Sequence, residues 1–110
     1  MSDVLPGNAE HVSRALFGRS MRLPILMWIR ARGDPAFYQG EVHAATGYPQ
    51  SAVAGELARF ADVGLICRQG RVSHGRQYYV RDDDSALWTI VDAACGALTE
   101  DGEPSTDLLL

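Results

Sequence analysis

Cysteine is scarce in this chain. Cys67 and Cys95 are its only two, 28 positions apart, and they form neither the dense set of a disulfide scaffold nor a C-x-x-C redox or zinc spacing. Reduced, structural thiols are expected, with Cys67 a small buried filler. No apolar run approaches the roughly 18 to 20 residues a membrane span needs, and MSDVLPGNAE lacks the charged-then-apolar order of a signal peptide. These two absences predict a cytoplasmic protein without membrane attachment. There is no phosphate-cradling glycine motif, no nucleophile-elbow sequence and no carboxylate pair in a plausible cleft, so an enzyme is not expected. His11, His43 and His74 stand apart, and no two potential Cys or His ligands lie within four residues, so neither a metal nor another cofactor is expected. His43 reads as a core-edge or solvent histidine. Lysine is absent, and no base follows Arg81.

The 110 residues suit one compact core, and 46% hydrophobic against 22% charged residues is ordinary globular composition. Charge is segregated. Between Arg14 and Arg81 lie all ten arginines and four acids, residues 82 to 110 hold eight acids, and the first ten residues hold two, for a net charge of −4. A basic body with an acidic end keeps a polyanionic partner open despite the negative total. The organisation expected is a flexible 1–10, a folded 11–98 and an acidic, flexible 99–110.

Asn8 is placed to cap a first helix through AEHVSRALF, in which Val12 and Leu16 share a face. Ser20 is placed to cap a second, MRLPILMWIRAR, with a buried stripe of Leu23, Leu26 and Ile29 and with Pro24 near the first turn. AFY at 36 to 38 is extended, and a strand only if it pairs with something distant. QGEVHAA reads as a short helix, TGYP as a turn, and QSAVAGELARFADV as a longer helix closed by Gly64. At 100° per residue, Val53, Leu57 and Phe60 fall within about 60° and face inward, while Ser51, Gly55, Arg59 and Asp62 face away. Glu56 is expected beside Gly55 in the exposed middle.

LICRQ and RQYYV are β-prone runs flanking GRVSHG, a hairpin with a long arginine-bearing loop. Arg68, Arg71, Arg76 and Arg81 follow one another there with no acid between them, and so look arranged for an anion, although a solvated hairpin often carries charge too. Asp84 or Ser85 is placed to cap ALWTIVDAACGAL, and the DDD run at 82 to 84 reads as a negative helix start. In that last helix Leu87, Ile90, Val91, Ala94 and Leu98 recur on one face. Together with Val12 and Leu16 they make an apolar surface that one monomer cannot obviously cover, which predicts a homodimer.

The order helix, helix, short strand, helix, turn, helix, hairpin, helix is that of a winged helix-turn-helix, mainly α with a small β-hairpin wing. In LFGRSMRLPILMWI, in FYQGEVHAATGYPQSAVAGELARFADVGLI and in GRVSHGRQYYV, from about Leu16 to Leu98, the chain resembles ArsR-like bacterial transcription regulators and, more loosely, MarR-type proteins. The phrase L-x-x-F-x-x-x-G-L-I marks the architecture rather than a subfamily. The resemblance implies a homodimer on double-stranded DNA, with a recognition helix at about 50–63 in the major groove and a wing at 68–76 on the backbone or minor groove. Position by position it implies base-reading candidates Gln50, Ser51, Ala52, Gly55, Glu56 and Arg59, and wing candidates Arg68, Arg71, His74 and Arg76. Gln50, Ser51 and Arg59 suit base edges or phosphates, Ala52 a thymine methyl and Glu56 a cytosine N4. The paired cysteines and histidine-acid set of metal-sensing relatives are missing from the matching positions. Glycine and a carboxylate at 55 and 56 keep a second reading open, a winged helix that binds a protein partner instead of DNA. An acidic tail that competes with DNA for the arginines is a further expectation.

Overall fold

The computed structural model describes residues 8–70 and 75–98 of the chain. Within them run α1 (Ala9–Phe17), α2 (Arg22–Ala31), β1 (Ala36–Tyr38), α3 (Gln39–Thr46), α4 (Gln50–Asp62), β2 (Ile66–Arg68), β3 (Tyr78–Arg81) and α5 (Trp88–Leu98). The fold is mainly helical with one small antiparallel sheet. Among the described residues, no helix is long and apolar enough to cross a membrane.

The centre is α2. Leu23, Pro24, Ile25, Leu26, Met27 and Ile29 are all buried, so this helix is apolar nearly all round and has α1, α3 and α5 packed against it. Pro24 sits in the first turn, where a missing N–H leaves no hydrogen bond unmade. Ser20 does not cap the helix. Arg22 N–H reaches Arg19 O and Ile25 N–H reaches Met21 O instead, and the serine that organises the junction is Ser13. Fully buried, Ser13 accepts a hydrogen bond from Leu23 N–H at 2.8 Å and donates to Arg19 O, tying α1 to the start of α2. Asn8 begins α1 through its carbonyl, which accepts from Val12 N–H, and its side chain makes no capping bond.

AFY does find its distant partner. β1 pairs antiparallel with β3 in the register Ala36↔Val80, Phe37↔Tyr79 and Tyr38↔Tyr78, and β2 pairs with the other edge of β3, giving the order β1-β3-β2. Phe37 is fully buried, stacked on Tyr79 at 5.7 Å and meeting the Trp28 ring edge-on at 5.9 Å. That cluster locks the sheet to α2, and truncating such a ring to alanine costs about 3–5 kcal/mol.

Alternation along β2 corrects one expectation. Ile66 faces the core, so Cys67 faces solvent and is exposed. A half-buried thiol occurs at Cys95, whose pKa is raised by burial and, next, by the nearby Asp92 carboxylate.

Charged side chains join α2, β3 and α5. Arg81, whose side chain is 10% exposed, donates through Nη1 to the carbonyls of Ile29 and Arg32 at 2.8 Å and of Arg30 at 3.2 Å, and its Nε lies 2.6 Å from Asp83 Oδ1. This guanidinium caps the C-terminal end of α2, where the helix leaves carbonyls unpaired and a cation is favoured. Arg81 is therefore structural, and it leaves the group of arginines read as arranged for an anion. The aspartate run does not start α5 as a charged cap either. Asp82 Oδ1 accepts from Asp84 N–H, Asp83 pairs with Arg30 and Arg81, and Ser85 introduces the helix by accepting from Leu87 N–H at 3.3 Å.

The inward face of α5 also departs from expectation. Trp88, Val91 and Leu98 are buried in the monomer, with Trp88 Nε1 donating to Leu65 O. Val12 and Ala94 pack partly against the same core. Of the seven apolar residues assigned to a dimer face, only Leu16 (68% exposed), Leu87 (38%) and Ile90 (52%) remain outward. Val91 and Leu98 are removed from that set because the core of the single chain already buries them.

Candidate nucleic-acid interface

The turn between α3 and α4 is fixed at both ends. Gly47 closes α3 at φ 79°, a left-handed backbone that suits glycine, and donates to His43 O. Half-buried His43 braces the same turn through Nδ1, 2.7 Å from Tyr48 O, and Thr46 Oγ1 accepts from Tyr48 N–H. Pro49 then sets the backbone for α4, and its carbonyl accepts from Val53 N–H. Gln50 and Ser51 consequently stand exposed in the first turn of α4, at the positive end of the helix dipole.

Val53, Leu57 and Phe60 point inward as the period requires, and so does Glu56. Its exposure is 1%, and Arg22 grips it with Nε 2.7 Å from Oε1 and Nη2 3.4 Å from Oε2. Arg19 and Arg59 stand off at 4.0 and 3.9 Å, so one carboxylate serves three guanidiniums. Glu56 is thus no base reader. Four residues before Phe60 on the helix, it lies only about 40° round from it, and the buried stripe simply extends that far.

The outward face of α4 is made of small residues instead. Ala58 is exposed, and Ala52, Ala54 and Gly55 are partly so. A Cβ on Gly55 would meet nothing nearer than Arg59 Nη1 at 3.6 Å, so internal packing does not demand glycine there. Arg59 keeps about half of its side chain exposed beside this face.

Across from the start of α4 lies the hairpin. Arg68 and Arg76 are exposed and form no ion pair among the described residues. Arg71 and His74 lie outside the described residues, as does the acidic segment 99–110. Arg76 rests over the Tyr38 ring at 4.3 Å, and Tyr38 in turn meets Tyr78 edge-on at 5.4 Å. Gly40 makes room for this ring, because a Cβ there would lie 2.9 Å from Tyr38 Cε2. A polar groove of about 380 Å³ runs between the two banks, with Gln39 and Gln50 on one side and Arg76 and Gln77 on the other.

The structure therefore brings Gln50 and Arg76 together, leaves Ser51, Arg59 and Arg68 accessible nearby in the chain, and withdraws Glu56. Gln39 was not singled out from the sequence. Its signal was available only as a polar residue at the first position of α3, which by itself distinguishes nothing. No group of three His, Cys, Asp or Glu side chains that could hold a metal occurs among the described residues.

A second feature of the surface is apolar. Phe17, Leu26, Phe60, Val63, Leu87 and Ile90 line a depression of about 350 Å³, together with the charged Arg22, Arg59 and Asp62.

Comparison with family models, with curated proteins and with solved structures gives no match for this chain.

Proposed function

We propose that the chain is a cytoplasmic winged-helix transcription regulator that binds double-stranded DNA as a homodimer, with α4 as the major-groove helix and the β2–β3 hairpin as the wing. The observation that carries this reading is the shared groove of Gln50 and Arg76. A donor-acceptor amide at a helix N-terminus suits base edges or phosphate, and a guanidinium with no ion-pair partner among the described residues suits the sugar-phosphate backbone. The inward turn of Glu56 supports it as well, since the carboxylate that would repel phosphates is neutralised by Arg22. Small residues on the outward face of α4 leave its backbone open to close approach.

Second copies meet, in this proposal, through Leu16, Leu87 and Ile90, the outward remainder of the α1 and α5 apolar surface. The same residues, with Val63 at 55% exposure, favour the alternative of a module that binds a different protein and no DNA.

Titration of random duplex DNA at several salt concentrations separates the two. About three phosphate contacts per monomer give a dimer a log-log slope near −5, and losing one cation per monomer reduces it by about 2. Arg68→Ala and Arg76→Ala should each show that reduction with unchanged melting temperature. Binding that is absent, or indifferent to salt and to both substitutions, assigns the protein to the interaction-module class.

A further inference from the structure

Gln39 and Gln50 open successive helices and are joined by their side chains. Gln39 Nε2 donates to Gln50 Oε1 at 2.8 Å and to the Gln50 backbone carbonyl at 3.2 Å. Both hydrogens of the Gln39 amide are thereby used on a single residue. The Gln39 side chain has no N–H left for a base or a phosphate, so as a donor its amide acts only on Gln50.

The bond also removes a freedom that glutamine ordinarily has. An amide can turn over and exchange its oxygen and nitrogen at little cost. Turning Gln50 over would bring its NH2 against the NH2 of Gln39, two donors face to face, and forfeit the 2.8 Å bond. Gln50 Oε1 is therefore held toward α3 with one lone pair filled and one to spare, and among the described residues nothing takes either Nε2 hydrogen.

We propose that Gln39 is a positioning residue for base recognition, and that the Gln50 amide it orients reads adenine. This rests on the DNA-binding reading above. A fixed acceptor beside a fixed donor complements N6–H and N7 on the major-groove edge of adenine. Guanine offers two acceptors there and opposes the locked oxygen. Cytosine offers only a donor, and thymine one acceptor with a methyl group. Discrimination from such a bidentate pair is on the order of tenfold against guanine at the contacted base pair.

The experiment is selection of binding sites from a random duplex pool by the full chain and by its Gln50→Ala and Gln39→Met variants, with melting temperature and salt slope recorded for each. Methionine keeps the length of the Gln39 side chain and removes its amide. The parent is expected to enrich adenine at one position of each half-site, and Gln50→Ala to erase that preference. Gln39→Met is expected to admit guanine at the same position, lowering the adenine preference several-fold, while melting temperature and salt slope stay as in the parent. Adenine preference unchanged in Gln39→Met overturns the positioning role. A Gln50-dependent preference for another base overturns the adenine assignment. Duplex binding by the parent without sequence preference overturns the inference and leaves DNA binding standing, whereas no binding at all removes the DNA-binding reading itself.

Discussion

Arg22 and Glu56 join the start of α2 to the middle of α4 through a 2.7 Å hydrogen bond, with the carboxylate almost entirely buried and the guanidinium also donating to Phe17 O. Removing one member of a buried pair leaves the other charge uncompensated. Glu56→Ala is therefore expected to destabilise the fold by about 3 kcal/mol, read from the shift of a urea denaturation midpoint. Arg22→Met combined with Glu56→Leu should recover most of that loss, because the desolvation cost of both charges disappears together. A Glu56→Ala variant as stable as the parent would show that Arg22 and Glu56 are solvated and independent.

Ile90 tests the homodimer. It is half exposed on α5 and borders the apolar depression with Leu87 and Val63. If copies associate through this surface, Ile90→Glu places a charge in it, and sedimentation should show a dimer for the parent and a monomer for the variant at the same concentration. Val91→Glu is a different experiment, since Val91 is 3% exposed in the monomer core and its replacement should unfold the chain. A monomeric parent contradicts the assembly.

Acid should loosen the attachment of α5 to α2. Arg30 Nε and Nη2 each lie 2.8 Å from an oxygen of Asp92, and the Arg30 hydrogen bond is the main cause that holds the Asp92 carboxyl below its ordinary value of 3.8. A depressed carboxylate pKa stabilises the fold above the unfolded-state value, and that contribution disappears as pH falls through the folded-state value. The same guanidinium lies over Trp88 at 5.5 Å, so with the other tryptophan removed by Trp28→Phe, indole fluorescence is a local reporter. Stability should decline below about pH 4 more steeply in the parent than in Asp92→Asn. Parallel curves for the two would mean that solvent screens the pair completely.

Helical period, glycine placement and β-branched or aromatic runs are local properties, and they made the order of elements legible. Gly64, and Gly47 within the TGYP turn, end helices in left-handed conformations, as punctuation in the sequence indicates, and Gly18 does the same for α1. The inward set Val53, Leu57 and Phe60 was legible for the same reason. Pairing partners were not. The strand at Ala36–Tyr38 exists only because β3 lies beside it about forty positions later, and Gln39 matters only because the α3–α4 turn sets it against Gln50.

The sequence by itself determined the succession of helices and hairpin and the segregation of arginines from the acidic end, since both follow from residue type and spacing along the chain. Tertiary structure decided which charges are spent inside. Glu56 and Arg81 look like surface residues in a linear reading, yet one is neutralised by Arg22 and the other caps the end of α2. Their burial depends on partners brought from distant segments, because an ionised group can leave water only where the fold supplies its counter-charge and hydrogen bonds. Gln50, Arg59, Arg68 and Arg76 remain outward, and in the proposed reading they are the groups that meet DNA.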